Sequence, residues 1–262
     1  MLESLFDLPL LIAGPIIVGS LCLYAIVGLS FVRRYVLPRL RSQDSYSDFT
    51  GAMLQAVMVF YGLAVALIAV SVWQSYSDAA RISSQEASAA AALYRDLSGY
   101  AEPARSQLQK QLRDYVNQII QQAWPMQQRG QIPTGGVEIM NRFQAMLMNV
   151  EPTTEGQKIL HAETLSTYNQ LIQARRLRLD AVQARLPGVL WFIIIVGAFI
   201  NLSLSFFFRI EDAWFQQIQV IFLAAFIGFV IFMIFTFDRP FRGELGLRPD
   251  SYQLVYDHLM QP

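Results

Sequence analysis

The sequence has little of the material from which enzyme and metal sites are built. It contains one cysteine and two histidines in 262 residues. Cys22 has no second thiol in the chain to pair with, and neither His161 nor His258 has a second histidine at metal-ligand spacing. The carboxylates are scattered, so no set of nucleophile, base and metal ligand can be named. We therefore predict no catalytic residue, no metal site and no cofactor.

Charged residues are also scarce. They make up 15% of the chain, whereas about 25% is usual in a soluble protein. The formal net charge is zero, so the chain as a whole has no electrostatic attraction for nucleic acid. The loop from Gly130 to Gly136 is rich in glycine but lacks the Gly-Lys-Ser/Thr of a phosphate-binding loop. Neither nucleic acid nor a nucleotide is an expected partner.

What the sequence has instead is long hydrophobic runs. Four segments contain no charged side chain: residues 8–32, 52–73, 187–208 and 213–237. A helix needs about 20 apolar residues to cross a bilayer, and each segment is long enough. The absence of ionisable groups in these segments disfavours a relay of carboxylates for proton pumping. We predict an all-α integral membrane protein with four transmembrane helices and the lipid bilayer as its environment.

The second span is predicted to continue beyond the bilayer. Residues 52–98 contain no proline, and Gly62 is their only glycine. The first part is apolar, and the part from Gln74 onwards is polar and rich in alanine, which favours helix. One long helix is therefore expected to leave the membrane and enter water.

The region between the second and third spans is predicted to be a polar helical domain. After the long helix, a second helix beginning near Pro103 has an apolar stripe and should end at Pro125, and a third covers about residues 137–149. Thr154 and Gln157 form a candidate capping box for a fourth helix, which should run almost directly into the third span. The expected boundaries are 1–73 for two spans, 74–186 for the four-helix domain, 187–237 for two spans and 238–262 for a juxtamembrane tail.

Small residues on the spans are candidates for helix packing. They let backbones approach closely, within one chain or between subunits of a homo-oligomer. The positions are Ala52, Ala56, Gly62 and Ala66 in the second span and Ala224 and Gly228 in the fourth. Polar residues such as Gln55, Asn201 and Ser203 either hydrogen-bond between helices or line a pore for a weakly hydrated anion.

The densest charge cluster lies just before the third span and contains Arg175, Arg176 and Arg178. It is interpreted as a basic collar at the membrane surface, as a vestibule that attracts anions, or as a partner for carboxylates on the extension of the second span. The chief carboxylate is Glu86. At equal rise per residue, Glu86 and Arg175 lie at similar distances from the ends of their spans, roughly 18–20 Å. We therefore predict that Arg175, Arg176 and Arg178 meet the carboxylates of the neighbouring helix, chiefly Glu86.

Several short motifs together resemble the bacterial bestrophin-like membrane proteins. They are Trp73, Glu86-Ala87, Leu93-Tyr94-Arg95, Tyr115, Trp124-Pro125, Glu151-Pro152, Ala174-Arg175-Arg176-Leu177-Arg178-Leu179, Leu186-Pro187 with Trp191, and Asp238-Arg239-Pro240-Phe241-x-Gly243. The resemblance implies similarity to bestrophins, oligomeric anion channels whose second and third helices extend beyond the bilayer. It also implies a bacterial inner-membrane location. An oligomeric, channel-like protein for small anions is the expected function, and a non-conducting scaffold or sensor whose helical domain binds a partner is the alternative.

The orientation in the membrane is predicted from basic residues. The loop after the first span carries Arg33, Arg34, Arg39 and Arg41, and the segment before it carries Glu3 and Asp7. By the positive-inside rule this loop is cytoplasmic, together with Arg209, and the helical domain is then extracytoplasmic. When Arg81 and the arginines of residues 175–185 are counted as well, the side of the helical domain carries more basic residues than the opposite side. The bestrophin resemblance also implies a cytoplasmic domain. We give more weight to the first helix, because long loops translocate largely regardless of charge.

Overall fold

The computed structural model describes residues 9–39, 44–208 and 212–261, without the side chains of 44–50. Arg41, Arg209, Glu3 and Asp7, used above for orientation, lie outside the residues described. The helices are α1 (Leu10–Phe31), α2 (Asp44–Asp96), α3 (Ala104–Gln118), α4 (Trp124–Gln128), α5 (Gly136–Met148), α6 (Glu155–Val182), α7 (Gly188–Ser205), α8 (Ala213–Phe237) and α9 (Asp250–Val255). No strand occurs within these ranges, as predicted.

Four helical segments are long and apolar enough to cross a membrane, which confirms the four predicted spans. They are Leu10–Arg39, Gly51–Gly99, Gly188–Ser205 and Ala213–Phe237. The chain divides into two compact units. We call Met1–Gln74 with Arg185–Asp238 the membrane unit, and Ser75–Ala184 with Arg239–Pro262 the helical unit.

The predicted long helix is confirmed as α2, which has 53 residues without a break. It begins earlier than Ala52, at Asp44, because the polar residues before the span contain no proline and continue the helical turn. The helix supplies Val65, Ile68 and Val72 to the core of the membrane unit and Ala87, Ala90 and Leu93 to that of the helical unit.

In the membrane unit, small residues bring α1 and α8 close together. A methyl group placed on Gly228 of α8 would lie 3.0 Å from the Cα of Val18 in α1. Similarly, a methyl group on Gly14 would lie 3.3 Å from the ring of Phe232. Glycine therefore lets α1 and α8 approach closely at these two positions, and the tighter contact is at Gly228, where the neighbouring atom belongs to the backbone.

In the helical unit, α3 and α5 pack around Leu108, Leu112 and Phe143, which are all fully buried. The prediction that Pro125 ends the second helix is wrong. A π-helical turn, Ile119–Ala123, is followed directly by α4, and the chain leaves the helix only after Gln128. Pro125 is the second residue of α4 and lies directly after the π-helical turn. Gly130, with φ of 73°, then reverses the chain.

The capping box at the start of α6 is confirmed. The Thr154 hydroxyl accepts from the Gln157 backbone N–H at 3.2 Å, and the Gln157 side chain accepts from the Thr154 N–H at 3.2 Å. The helix does not run into the third span, however. It ends at Val182, and residues 184–187 are not helical, since the Leu186-Pro187 bond disfavours helix before the proline.

The chain after Asp238 belongs to the helical unit rather than to a separate tail. Phe241, Tyr252 and Met260 are buried in the core of that unit. The indole N–H of Trp124 donates to the Leu247 carbonyl oxygen at 2.8 Å, which ties this segment to α4. Residues 239–261 therefore complete the helical unit and bring aromatic side chains to its centre.

Candidate functional site

Glu86 of α2 is the centre of a buried polar cluster in the helical unit. Its exposed fraction is 0%. Arg178 of α6 donates from Nε to Oε2 at 2.6 Å and from Nη2 to Oε1 at 3.3 Å. The hydroxyl of Tyr115 in α3 donates to Oε1 at 2.6 Å. A single carboxylate therefore receives a two-point bond from a guanidinium and a third bond from a phenol, and so joins three helices.

Burial makes this cluster electrostatically demanding. Arg178 is 1% exposed, and both charges have lost their hydration, which is costly unless the ions pair well. Burial acts to lower the pKa of the Arg178 guanidinium, but the negative charge of Glu86, its hydrogen bond to Arg178 and the neighbouring tyrosines together outweigh burial, and the net shift of the pKa is upward. Burial first, and the charge of Glu86 second, raise the pKa of the Tyr115 hydroxyl well above its usual value. The cluster therefore consists of the Glu86–Arg178 ion pair and a tyrosine, Tyr115, that keeps its proton.

Tyr252 of α9 extends the cluster. The Arg178 Cζ atom lies 5.9 Å from the centroid of the Tyr252 ring, within reach of a cation–π interaction. Burial, followed by the charge of Glu86, raises the pKa of the Tyr252 hydroxyl well above the usual value. In the part of the chain that the structure describes, the Tyr252 hydroxyl and Arg178 Nη1 are buried without a well-formed hydrogen bond.

The three predicted arginines lie in different surroundings. Arg178 contacts Glu86, whereas Arg176 is exposed to solvent. Arg175 is half-buried, and its Nη2 lies 3.4 Å from where a methyl group on Gly136 would be. Of the three arginines predicted to meet Glu86, Arg178 forms the pair, whereas Arg175, which equal rise per residue aligns with Glu86, lies one turn earlier. Equal rise aligns Cα positions, but helical side chains lean toward the N-terminus of their own helix, which shifts the register of contact between helices of opposite direction.

A second polar junction lies in the membrane unit at Asp238, directly after α8. One carboxylate oxygen accepts from the Leu186 backbone N–H at 2.6 Å, and the other accepts from the Trp191 indole N–H at 3.2 Å. Asp238 therefore joins the end of α8 to the residues that precede and begin α7. Trp191, Leu186 and Asp238 all belong to the motifs on which the resemblance was based, and the structure brings them together.

Polar groups on the spans form hydrogen bonds both between helices and within one helix. Ser203 shares a hydrogen bond with the Tyr24 hydroxyl at 2.7 Å, and Ser205 donates to the Leu202 carbonyl. Of the small residues, Ala224 and Gly228 are buried in the membrane unit. Ala52, Ala56, Gly62 and Ala66 are exposed on α2 in the single chain.

Four apolar spans with a helical unit define a multi-pass, all-helical membrane protein. The model of the Bestrophin-like domain matches residues 21–252, and the chain therefore belongs to the bestrophin-like family. A solved crystal structure, described as that of a membrane protein with one proline-to-alanine substitution, is similar in fold, with a TM-score of 0.66 and 9% sequence identity. The alignment covers 93% of this chain and 97% of that one. No curated protein matched the sequence.

Two features of the cluster were missed from the sequence. Tyr115 was interpreted as part of an apolar stripe. Nothing in the sequence pattern indicated that its hydroxyl donates to Glu86. Tyr252 lies in the segment interpreted as a tail, and only the packing of that segment into the helical unit brings its ring to Arg178. An alanine-rich helix with one acidic residue, Glu86, on its buried face was the one available hint.

Proposed function

We propose that the protein is an oligomeric, channel-like protein for small anions in the bacterial inner membrane. The observation that carries the proposal is the exposure of the second span. In the most apolar stretch of that span 17% of the residues are buried, against 39% in the fourth span. A surface this open is available to copies of the same chain, and a path for ions would then lie between the second spans of several subunits.

The chemistry of this surface suits an anion. It carries small residues, including Gly62 and Ala66, and the neutral polar side chains of Gln55 and Ser71. A passage lined by amides, hydroxyls and apolar groups offers no carboxylate to hold a cation and suits a weakly hydrated anion. Membership of the bestrophin-like family supports the same assignment.

The test is ion flux through liposomes that contain the purified protein. Flux that is selective for chloride over potassium supports the proposal. Absence of flux across a range of pH and in the presence of candidate ligands would favour the alternative, in which the protein is a non-conducting scaffold or sensor.

A cavity in the helical unit favours that alternative. It has a volume of about 410 Å³ and is lined by α2 and by residues 244–252. Ser83, Arg248 and Ser251 give its wall hydrogen-bonding groups, and Tyr252 of the buried cluster also borders it. A sensor would bind a small polar molecule here, next to the Glu86–Arg178 pair.

A further inference from the structure

The cavity in the helical unit lies between one face of α2 and the segment that follows α8. Tyr76, Ala80 and Ser83 line it from α2, at steps of four and three residues that place them on one face of the helix. Residues 244–248 and 250–252 line it from the other side. Its volume of about 410 Å³ lies within the range of about 300–1,000 Å³ that is usual for small-molecule sites.

The wall formed by residues 244–248 is held in place by hydrogen bonds within the helical unit. The Leu247 N–H donates to the Pro240 carbonyl at 2.8 Å, and the Leu247 carbonyl accepts from the Trp124 indole N–H at 2.8 Å. The Tyr76 hydroxyl donates to the Leu245 carbonyl at 3.2 Å. A ligand therefore meets a wall that is already ordered, which lowers the entropic cost of binding.

Arg248 and Asp250 give this cavity one positive and one negative side chain. Both line it, and within the described part of the chain neither side chain forms a hydrogen bond or an ion pair, with the other or with a third residue. Glu244 also lines the cavity, but it already interacts with another group of the chain. The cavity thus presents one guanidinium and one carboxylate that are available to a ligand.

These two charges restrict the chemistry of the ligand. A neutral molecule would displace water from both ions and pair with neither, which is unfavourable. An anion would pair with Arg248 but face the like charge of Asp250, and a cation would meet the reverse arrangement. A zwitterion, in which a carboxylate and an ammonium group lie close together, pairs with both side chains.

The rest of the wall suits an apolar group. Leu245, Leu247 and Ala80 border the cavity, and Leu245 is 51% exposed. An aliphatic group that covers these side chains removes apolar surface from water, which favours binding. The wall therefore matches a small zwitterion that also carries an aliphatic side chain.

We propose that this cavity binds a free α-amino acid with an aliphatic side chain. The carboxylate of the amino acid accepts from the Arg248 guanidinium, its ammonium group donates to the Asp250 carboxylate, and its side chain packs on Leu245 and Leu247. The proposal names a ligand class for the sensor alternative and rests on that alternative for its physiological role. Binding itself is measured without ion flux.

The experiment measures binding to the full chain in detergent by isothermal titration calorimetry with three probes. Leucine carries both charges, N-acetyl-leucine lacks the ammonium group, and leucinamide lacks the carboxylate. We expect saturable binding of leucine. Loss of one hydrogen bond to a charged group corresponds to about tenfold in affinity, so each of the other two probes should bind that much more weakly.

Two variants assign each charge of leucine to its partner. Arg248→Gln should weaken the binding of leucine by about tenfold and leave that of leucinamide unchanged, because leucinamide has no carboxylate to bind. Asp250→Asn should weaken the binding of leucine by a similar factor and leave that of N-acetyl-leucine unchanged. Asp257→Asn, at an exposed position outside the cavity, is the matched control and should bind leucine as the wild type does.

Absence of saturable leucine binding would overturn the proposal. So would binding of N-acetyl-leucine or leucinamide as tight as that of leucine, since the cavity would then recognise a single charge. Flux in liposomes separates this failure from that of the channel. Chloride-selective flux without leucine binding would keep the channel and reject the site, whereas leucine binding without flux would support the site and the sensor alternative.

Discussion

The Arg178 Nε lies 2.6 Å from the Glu86 Oε2, and neither side chain has appreciable contact with solvent. The two residues are 92 positions apart in the chain, and the pair joins the polar half of the longest helix to α6. The pair of Arg81 with Asp78, by contrast, is exposed and joins residues three positions apart. Exposed pairs contribute about 0–1 kcal/mol, so the buried pair is expected to matter far more to the stability of the helical unit than this one.

We expect Glu86→Gln and Arg178→Gln each to lower the free energy of unfolding by about 3–5 kcal/mol, because each leaves an uncompensated buried charge. The double variant should lose much less than the sum of the two. A double-mutant cycle on thermal stability in detergent measures this coupling. Arg175→Gln, combined with Glu86→Gln, is the control and should give additive effects. Additive effects for Arg178 as well would contradict the pairing.

The buried tyrosines predict a loss of stability at alkaline pH. The usual pKa of tyrosine is 10.0, and those of Tyr115 and Tyr252 are raised well above it in the folded protein. Below pH 10 both states keep these protons, so stability does not change on their account. Above pH 10 the unfolded chain loses them and the folded chain does not, which favours unfolding by about 1.4 kcal/mol per pH unit for each tyrosine.

Tyr252→Phe should remove the contribution of Tyr252 to that slope. The substitution should also cost little near neutral pH, because the hydroxyl makes no well-formed hydrogen bond within the described residues. Equilibrium unfolding measured between pH 8 and about pH 11 checks the slope. A slope that is the same in wild type and Tyr252→Phe would mean that this hydroxyl ionises in the folded state.

Asp238 should matter more for stability than an exposed helix cap. In Asp238→Asn, an amide donor would face one of the two N–H groups that Asp238 accepts from. Loss of a hydrogen bond to a charged group lowers the free energy of unfolding by about 1.5–3 kcal/mol. Asp212, which caps α8 by accepting from the Trp214 N–H at 2.9 Å, is exposed. Asp212→Asn is the matched control and should cost only a few tenths of a kcal/mol, since Asn caps about as well as Asp. A larger effect at Asp212 would reverse this ranking.

The side of the membrane on which the helical unit lies can be read by thiol labelling. Gln128 is exposed at the end of α4. We expect Gln128→Cys, in a Cys22→Ser background, to react with a membrane-impermeant thiol reagent in intact spheroplasts. Labelling that appears only after lysis would place the helical unit in the cytoplasm, as in the bestrophin resemblance, and would contradict the prediction from the first helix.

Much of the fold could be predicted from the sequence because it depends on local patterns. Long uncharged runs, a proline-free stretch and a Thr–Gln capping box specify spans, α2 and the start of α6 without reference to the rest of the chain. Pro125 was misinterpreted because the π-helical turn before it is a feature of packing, not of propensity. The choice of Arg178 over Arg175 depends on the register of contact between two helices, and the role of Tyr252 depends on where a C-terminal segment folds back. Neither leaves a local signal.

The exposed face of α2 is the predicted contact between subunits. Gly62→Leu should weaken association in detergent and leave membrane insertion intact, because the added side chain projects from an open surface. Gly19 on α1 offers a matched control, since a methyl group there also meets no heavy atom within 4 Å. Crosslinking should show fewer oligomers for Gly62→Leu and an unchanged distribution for Gly19→Leu. Equal distributions would remove this face from the interface.

Anion flux in liposomes tests the central claim most directly. Purified wild-type protein should carry chloride in preference to potassium, Gly62→Leu should reduce the flux, and Gly19→Leu should leave it unchanged. Because all three proteins are reconstituted at equal amounts and checked for insertion, a difference reflects the α2 face and not the yield. Chloride permeability no greater than that of protein-free liposomes, across a range of pH and ligands, would contradict the proposed channel and leave the sensor as the function to pursue.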